Sequence, residues 1–183
     1  TKEGLDKKNI KHFDLLSDNK FLIKNAYITA EGALAHIIKA TDSTLMNMPV
    51  LVLGYGRIGK HLAKMLKSLS AKVSVASKQE ELKEAENVVE KTIELDKLGL
   101  YISSFKVIVN TIPLKIIKGE LIRLVAYDAY IMDLASMPGG IDFEQAEKRG
   151  IMTHQFLGVP GKVSPKTAAE YVKESIFRSL KEI

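Results

Sequence analysis

The 183-residue chain has no cysteine, which closes off a disulfide framework and any thiolate zinc site. Aromatic residues make up only 7% and do not interleave with the lysines, so a nucleic-acid-binding face is not indicated. The net charge of +5 instead describes a solvated basic surface that attracts anions. No apolar run is long enough to span a bilayer. The start, Thr1-Lys2-Glu3-Gly4-Leu5-Asp6, carries neither an initiating methionine nor a signal-peptide core, as expected of a piece of a larger protein. The histidines, His12, His36, His61 and His154, have no metal-ligand spacing, and no metal is expected. There is no G-x-S-x-G motif and no outstanding carboxylate pair. The missing cysteines fit a reducing cytoplasm.

What is present is alternation. Pro49-Val50-Leu51-Val52-Leu53 is short and continuously apolar, the pattern of a strand buried on both faces of a parallel sheet. Ile58, Leu62, Ala63, Leu66 and Leu69 follow at helical spacing, then a second strand, Lys72 to Ala76. Gln79 to Glu86 predicts a short exposed helix, Val88-Val89 a brief third strand, and Leu95 to Ser104 a helix or turn. Val107 to Asn110, Tyr130 to Ala135 and Ile151 to Leu157 predict three more strands. Leu121 to Val125 and Phe143 to Arg149 read as helices between them. Gly158 to Gly161 reads as a loop, and Pro165 opens a last helix to about Lys181. Upstream, Phe21-Leu22-Ile23 could form a short strand, and Thr29 is a candidate N-cap for a helix facing inward through Ala30, Ala33, Leu34, Ile37 and Ile38. The fold class that follows is α/β: a doubly wound, mostly parallel Rossmann-type sheet with flanking helices.

Gly54-Tyr55-Gly56-Arg57-Ile58-Gly59 is a G-x-G-x-x-G sequence lying directly between the first strand and the next helix, the context that gives this weak motif weight. Gly54 allows the tight turn, Gly56 lets backbone approach a pyrophosphate, and Gly59 lets helix pack on strand. The helix N-terminus offers N–H groups and a positive dipole end to the phosphates. NAD sites of this kind usually end the second strand in Asp or Glu. Here Ala76-Ser77-Lys78 stands in that place, and a hydroxyl beside an ammonium points to the 2′-phosphate of NADP. NAD is the alternative, with Lys78 a surface lysine and Glu80 or Glu81 reaching the ribose. Thr111, Ile112 and Pro113 end the fourth strand, where they could line the ribose and nicotinamide. Asp133-Leu134-Ala135-Ser136 holds the same place on the fifth. Asp133 reads as an anchor for its loop. His154 is the histidine to watch as an acid or base, although a structural role is the better reading.

Five segments, NAYITAEGA (25–33), VLVLGYGRIG (50–59), NTIP (110–113), DLASMPGGID (133–142) and LGVPGKVSPKTA (157–168), resemble the nucleotide-binding part of the dipicolinate synthase A-subunit family. The resemblance implies an NADP-dependent oxidoreductase subunit that forms dipicolinate from an intermediate of the dihydrodipicolinate branch of lysine synthesis. It also implies the cytoplasm of a sporulating mother cell, a flavoprotein-like B-type subunit as partner, and an oligomer. Gly54, Tyr55, Gly56, Arg57, Ile58, Gly59, Ser77, Lys78, Thr111, Ile112, Pro113, Leu134 and Ala135 would hold the cofactor. Thr29, Glu31, Gly32, Ser136, Gly139, Gly140 and Lys166 would face the substrate, a small dicarboxylate. Met137 stands where the family suggests a lysine. No catalytic acid or base is assigned. On this reading residues 1–28 are the remnant of a truncated N-terminal domain or tail, 29–47 a linker helix, 48–160 the dinucleotide-binding domain and 161–183 a C-terminal helix. Such a fragment is expected to be inactive alone. The alternatives are a 2-hydroxyacid-dehydrogenase-like enzyme and a non-catalytic nucleotide-binding or assembly domain.

Overall fold

A computed structural model describes residues 2–8 and 11–181, so the extreme ends of the predicted segments 1–28 and 161–183 lie outside the described residues. In chain order the elements are α1 (Lys2–Lys7), a 3-10 turn (Leu15–Ser17), α2 (Asn19–Ala40), β1 (Pro49–Leu53), α3 (Arg57–Ser68), β2 (Lys72–Ser77), α4 (Gln79–Ala85) and β3 (Lys91–Glu94). Two further 3-10 turns follow (Leu95–Leu100 and Ile102–Ser104), then β4 (Val107–Asn110), α5 (Glu120–Leu124), β5 (Tyr130–Asp133), α6 (Phe143–Lys148), β6 (Met152–Gln155), α7 (Val159–Val163) and α8 (Pro165–Leu180).

The six strands form one sheet in the order β3-β2-β1-β4-β5-β6, and every pairing is parallel. Strand β1 lies at its centre because Val50, Leu51, Val52 and Leu53 have no polar face to show water; all four are fully buried. Val50 and Val52 face the layer that also holds Ala30, Ala33, Leu62 and Leu66. Leu51 and Leu53 face the opposite layer, with Leu98, Ile102, Ile117 and Ile122. Helices on both faces follow from right-handed crossovers between parallel strands.

The largest departure from the sequence reading is α2. Its N-cap is Asp18, whose side chain accepts from the N–H groups of Lys20 and Phe21, so Phe21 to Ile23 are helical rather than a strand. Thr29 is no N-cap; it lies mid-helix and its hydroxyl donates to the Asn25 carbonyl at 2.8 Å. The predicted division between residues 28 and 29 therefore falls inside one continuous helix. Ile38, expected inward, is 51% exposed. Val88 and Val89 form no strand because both N–H groups return to the Ala85 carbonyl at the end of α4; the third strand begins at Lys91. The predicted loop Gly158–Gly161 is instead the start of helix α7, capped by Gly158 in the left-handed region (φ +63°) with Pro160 in its first turn.

Helix α8 buries serines. Ser175 donates to Asp18 at 2.5 Å and Arg178 pairs with the same carboxylate at 2.6 Å, so the N-cap of α2 also tethers the last helix. The Ser175 hydroxyl, with the Arg178 guanidinium beside it, holds the Asp18 carboxyl well below the usual carboxylate range. Among the described residues, no helix is long and apolar enough to cross a membrane.

Candidate functional site

The glycine loop leaves β1 at Gly54 with φ +90°, a conformation L side chains rarely adopt, and a Cβ there would meet the Thr111 hydroxyl at 2.5 Å. A Cβ on Gly59 would collide with the Gly54 carbonyl, so this glycine fixes how closely α3 approaches the strand. A side chain at Gly56 would meet nothing within 4 Å; the backbone there faces open space. Gly56 caps α3 without any side-chain hydrogen bond, leaving the first-turn N–H groups of that helix to an incoming group. These features fit a pyrophosphate.

The space in front of that helix is a cleft of about 590 Å³ at the carboxyl edge of the sheet. Gly54, Gly56, Arg57 and Ile58 line one wall, Ser77 and Lys78 a second, and Thr111, Ile112, Pro113 and Ser136 a third. Nine of the thirteen predicted cofactor residues thus converge there. Tyr55 does not: its ring is 2% exposed and packed into the core layer under α2, where burial raises the phenol above its ordinary pKa. Gly59, Leu134 and Ala135 act from behind the wall through backbone and core packing, since the last two are 7% and 4% exposed.

The third wall is held by a buried polar network. Asn110 and Asp133 end neighbouring strands β4 and β5, paired in register, and both are fully buried. Asn110 Nδ2 donates to Asp133 Oδ1 at 2.7 Å and to the Ile112 carbonyl at 2.9 Å, while Asn110 Oδ1 accepts from Ile112 N–H at 3.1 Å. Asp133 also accepts from Ala135 N–H at 3.1 Å and Gly140 N–H at 2.7 Å. The Thr111 hydroxyl donates to the Leu53 carbonyl at 2.8 Å. These side chains shape the loops around the cleft and spend their hydrogen bonds doing so, the anchoring role expected of Asp133.

The predicted substrate residues do not converge. Ser136 is exposed at the cleft, and Gly139 and Gly140 are buried against Asp133 and Asn110. Thr29 and Gly32 are buried within the packing of α2, Gly32 directly against Val159 and Val163 of α7. Glu31 and Lys166 are exposed on α2 and α8, and neither lines the cleft. His154 is not at the cleft; its ring stacks on His36 at 4.2 Å, on the α2 side of the sheet.

Sequence reasoning assigns no role to Leu22, Asn25 and Ala26 of α2, which line the cleft opposite the glycine loop. Asn25 opens the NAYITAEGA segment, so a signal is there. Glu81 enters that reasoning only as an alternative. The Glu81 carboxylate sits in the cleft, accepting the Tyr55 N–H at 3.0 Å and the Ser77 hydroxyl. A larger cavity, about 750 Å³, opens at the amino edge of the sheet among Thr41, Lys106, Tyr127, Asp128 and Met152. Its lining glycine, Gly150, follows the end of α6 and leads into no helix, and ligands of open α/β sheets bind at the carboxyl ends of the strands, so the smaller cleft is the candidate site.

Residues 18–135 match the family "D-isomer specific 2-hydroxyacid dehydrogenase, NAD binding domain". The dipicolinate synthase A-subunit of Bacillus subtilis (strain 168) is 33% identical over 170 residues, 92% of this chain and 57% of that protein. The crystal structure of the dipicolinate synthase A-subunit from Bacillus halodurans superposes with a TM-score of 0.92 at 32% identity, over 98% of this chain and 62% of that one. The corresponding crystal structure from Bacillus subtilis gives 0.92 at 31% identity, over 97% and 60%. The chain thus spans between 57% and 62% of the length of these relatives.

Proposed function

The chain belongs to the family of D-isomer specific 2-hydroxyacid dehydrogenase NAD-binding domains, and on that premise we propose that it is the dinucleotide-holding part of an oxidoreductase of the dipicolinate synthase A-subunit kind. One observation carries the reading: the uncapped N-terminus of α3 and the Thr111–Pro113 turn face each other across a cleft at the carboxyl edge. The 33% identity to the Bacillus subtilis dipicolinate synthase A-subunit supports the narrower assignment.

When bound, the nicotinamide ring supplies the hydride chemistry. The chain's own residues hold and orient it. Gly56, Arg57 and Ile58 present backbone N–H groups to the phosphates. Ile112 and Pro113 offer an apolar wall, and Asn110 and Asp133 keep that wall in register with β1. The proposed substrate is a small cyclic dicarboxylate entering beside Ser136, with dipicolinate as product. A flavoprotein-like second subunit is the proposed partner, and a sporulating cell the proposed setting. Lys166 and Glu31 would reach such a substrate only from another part of the assembly, because neither lies at this cleft. The expected choice of NADP now rests on Lys78, since the Ser77 hydroxyl is engaged by Glu81.

Calorimetric titration with NADH and NADPH, followed by pyridine-2,6-dicarboxylate, tests the reading. It expects dinucleotide binding and dicarboxylate binding that strengthens once dinucleotide is present. Turnover of simple 2-keto acids would favour a 2-hydroxyacid dehydrogenase instead.

A further inference from the structure

The sheet ends in two edge strands, β3 and β6, and they are protected differently. β3 begins with Lys91 and ends with Glu94; the Lys91 ammonium lies 3.5 Å from the centroid of the Tyr101 ring, and Glu94 pairs with Lys97. Charge at a strand edge is a common device against pairing with another chain. β6 reads Met152-Thr153-His154-Gln155, with no charged residue and no proline. Met152 is 61% exposed.

One hydrogen bond fixes which groups of β6 are free. Phe156 N–H donates to the Asp133 carbonyl at 2.8 Å, so Phe156 and His154 turn their backbone groups toward β5. Thr153 and Gln155, which alternate with them, turn theirs outward. Those two N–H and two C=O groups have no partner among the described residues. The side chains alternate between faces as well. The His154 ring stacks on His36 on the α2 side, where Phe156 also packs, so Thr153 and Gln155 project to the opposite face.

We propose that β6 pairs antiparallel with β6 of a second copy about a twofold axis, joining two six-stranded sheets into one. One register engages all four outward groups of each strand. It sets Thr153 against Gln155 of the partner subunit and His154 against its own copy on the axis. This register makes four hydrogen bonds and places no charged side chain opposite another. It also lays the exposed Met152 against Phe156 of the partner subunit, a sulfur–aromatic contact. The match of the strand to itself selects a second copy over an unrelated strand.

The twofold pair makes the contact pH-dependent. The two His154 residues meet as a non-hydrogen-bonded pair, with Cα atoms about 4.5 Å apart. The groups facing them are His36 and Lys39 of α2, Tyr130 of β5, and Lys162 of α7, which lies 5.6 Å from the centroid of the Phe156 ring. Helix α6, packed on the other face of β6, carries Glu144, Glu147 and Lys148 exposed to solvent, with Glu144 paired to Lys148. None of the groups on the His154 side is a carboxylate. A proton on each His154 therefore sets like charges against one another. The monomer takes up those protons more readily, so the dimer is lost as pH falls.

The test is the mass of the full chain by light scattering during gel filtration, with amide hydrogen exchange read residue by residue. At about pH 8 the mass is expected to rise with loading toward twice 20.3 kDa, as for an interface below the standard size. At about pH 5.5 dimerisation is expected to weaken about tenfold or more, the effect of one like-charge contact. The Thr153 and Gln155 amides should exchange freely at low loading and slow as the dimer forms, while His154 N–H, turned toward β5, stays slow throughout. The His154→Glu and His154→Lys chains should each melt as folded monomers, and an equal mixture of the two should dimerise again. A chain that stays at 20.3 kDa up to about 1 mM, a mixture that stays monomeric, or a dimer equally strong at about pH 5.5 overturns the proposal. So does slow exchange of Thr153 and Gln155 in the monomer, which would mean that another part of the same chain covers the edge.

Discussion

The two ends of the parallel sheet both open into cavities, and they are built in opposite ways. At the carboxyl end the cleft is the smaller, about 590 Å³, and its wall is backbone: a glycine turn, the uncapped start of α3 and a turn after β4. At the amino end the cavity is the larger, about 750 Å³. There Lys106 is paired with Asp128, and the Tyr130 hydroxyl is buried with no partner. Volume alone would choose the wrong end. What marks the carboxyl end is convergence of backbone donors that have no protein partner, beside a polar network with almost nothing unsatisfied. The amino end shows the reverse: Lys106 is matched by Asp128, and the one buried side-chain group without a partner among the described residues, the Tyr130 hydroxyl, is sealed from solvent.

Perturbing each end separately should break this contrast or sharpen it. The largest effect is expected from Gly59→Val. The new side chain meets the Gly54 carbonyl, and overpacking of this kind costs about 1–3 kcal/mol. With α3 pushed off the loop, NADH affinity should fall about 100-fold by calorimetry, since the helix N-terminus no longer meets the phosphates. Asp133→Ala comes next. It leaves buried donors on Asn110, Ala135 and Gly140 without their acceptor, and chemical denaturation should show a loss of about 2–4 kcal/mol. At the other end Tyr130→Phe removes a buried hydroxyl that bonds to nothing and should stabilise the fold by about 1 kcal/mol, with NADH affinity unchanged. A stabilised variant that lost NADH binding would break the separation of the two ends.

The smallest expected effect is the pH dependence of the α2 side. Burial first, then the nearby His154 and Lys39, lowers the His36 pKa from 6.5. Tyr130 and Phe156 rings also pack against it and bring no charge at neutral pH. The folded state therefore binds fewer protons than the unfolded chain just below that value. Its stability should fall as pH drops through 6.5, and His36→Gln should flatten thermal melts recorded from about pH 5 to 7.

The contrast also explains what the sequence could reveal. Strand β1 and the glycine loop are legible because backbone geometry dictates residue type there: four apolar residues buried on both faces, then glycines where a Cβ collides. Asp133 is legible as an anchor because a carboxylate inside an apolar run must find donors. Helix α2 is not, because Asp18 caps it eleven residues before Thr29, while Phe21-Leu22-Ile23 carries a strand-like composition that tertiary packing overrides. Glu81 is ambiguous because its partner Tyr55 lies 26 residues away, a distance local periodicity does not cross. The proposed substrate residues follow from segment likeness, which does not tell which turn of an element faces the cleft: α2 reaches it through Leu22, Asn25 and Ala26 rather than Thr29, Glu31 or Gly32, the loop after β5 through Ser136, and α8 not at all.

The most direct test of the carboxyl-edge site is amide chemical-shift mapping of the isotope-labelled chain titrated with NADH. Shifts are predicted to cluster at Gly54 to Gly59, Ser77 to Glu81 and Thr111 to Leu114, leaving Thr41 to Thr44, Lys106 and Tyr127 in place. Shifts clustered at the amino-edge cavity instead, or none at saturating NADH, would contradict it.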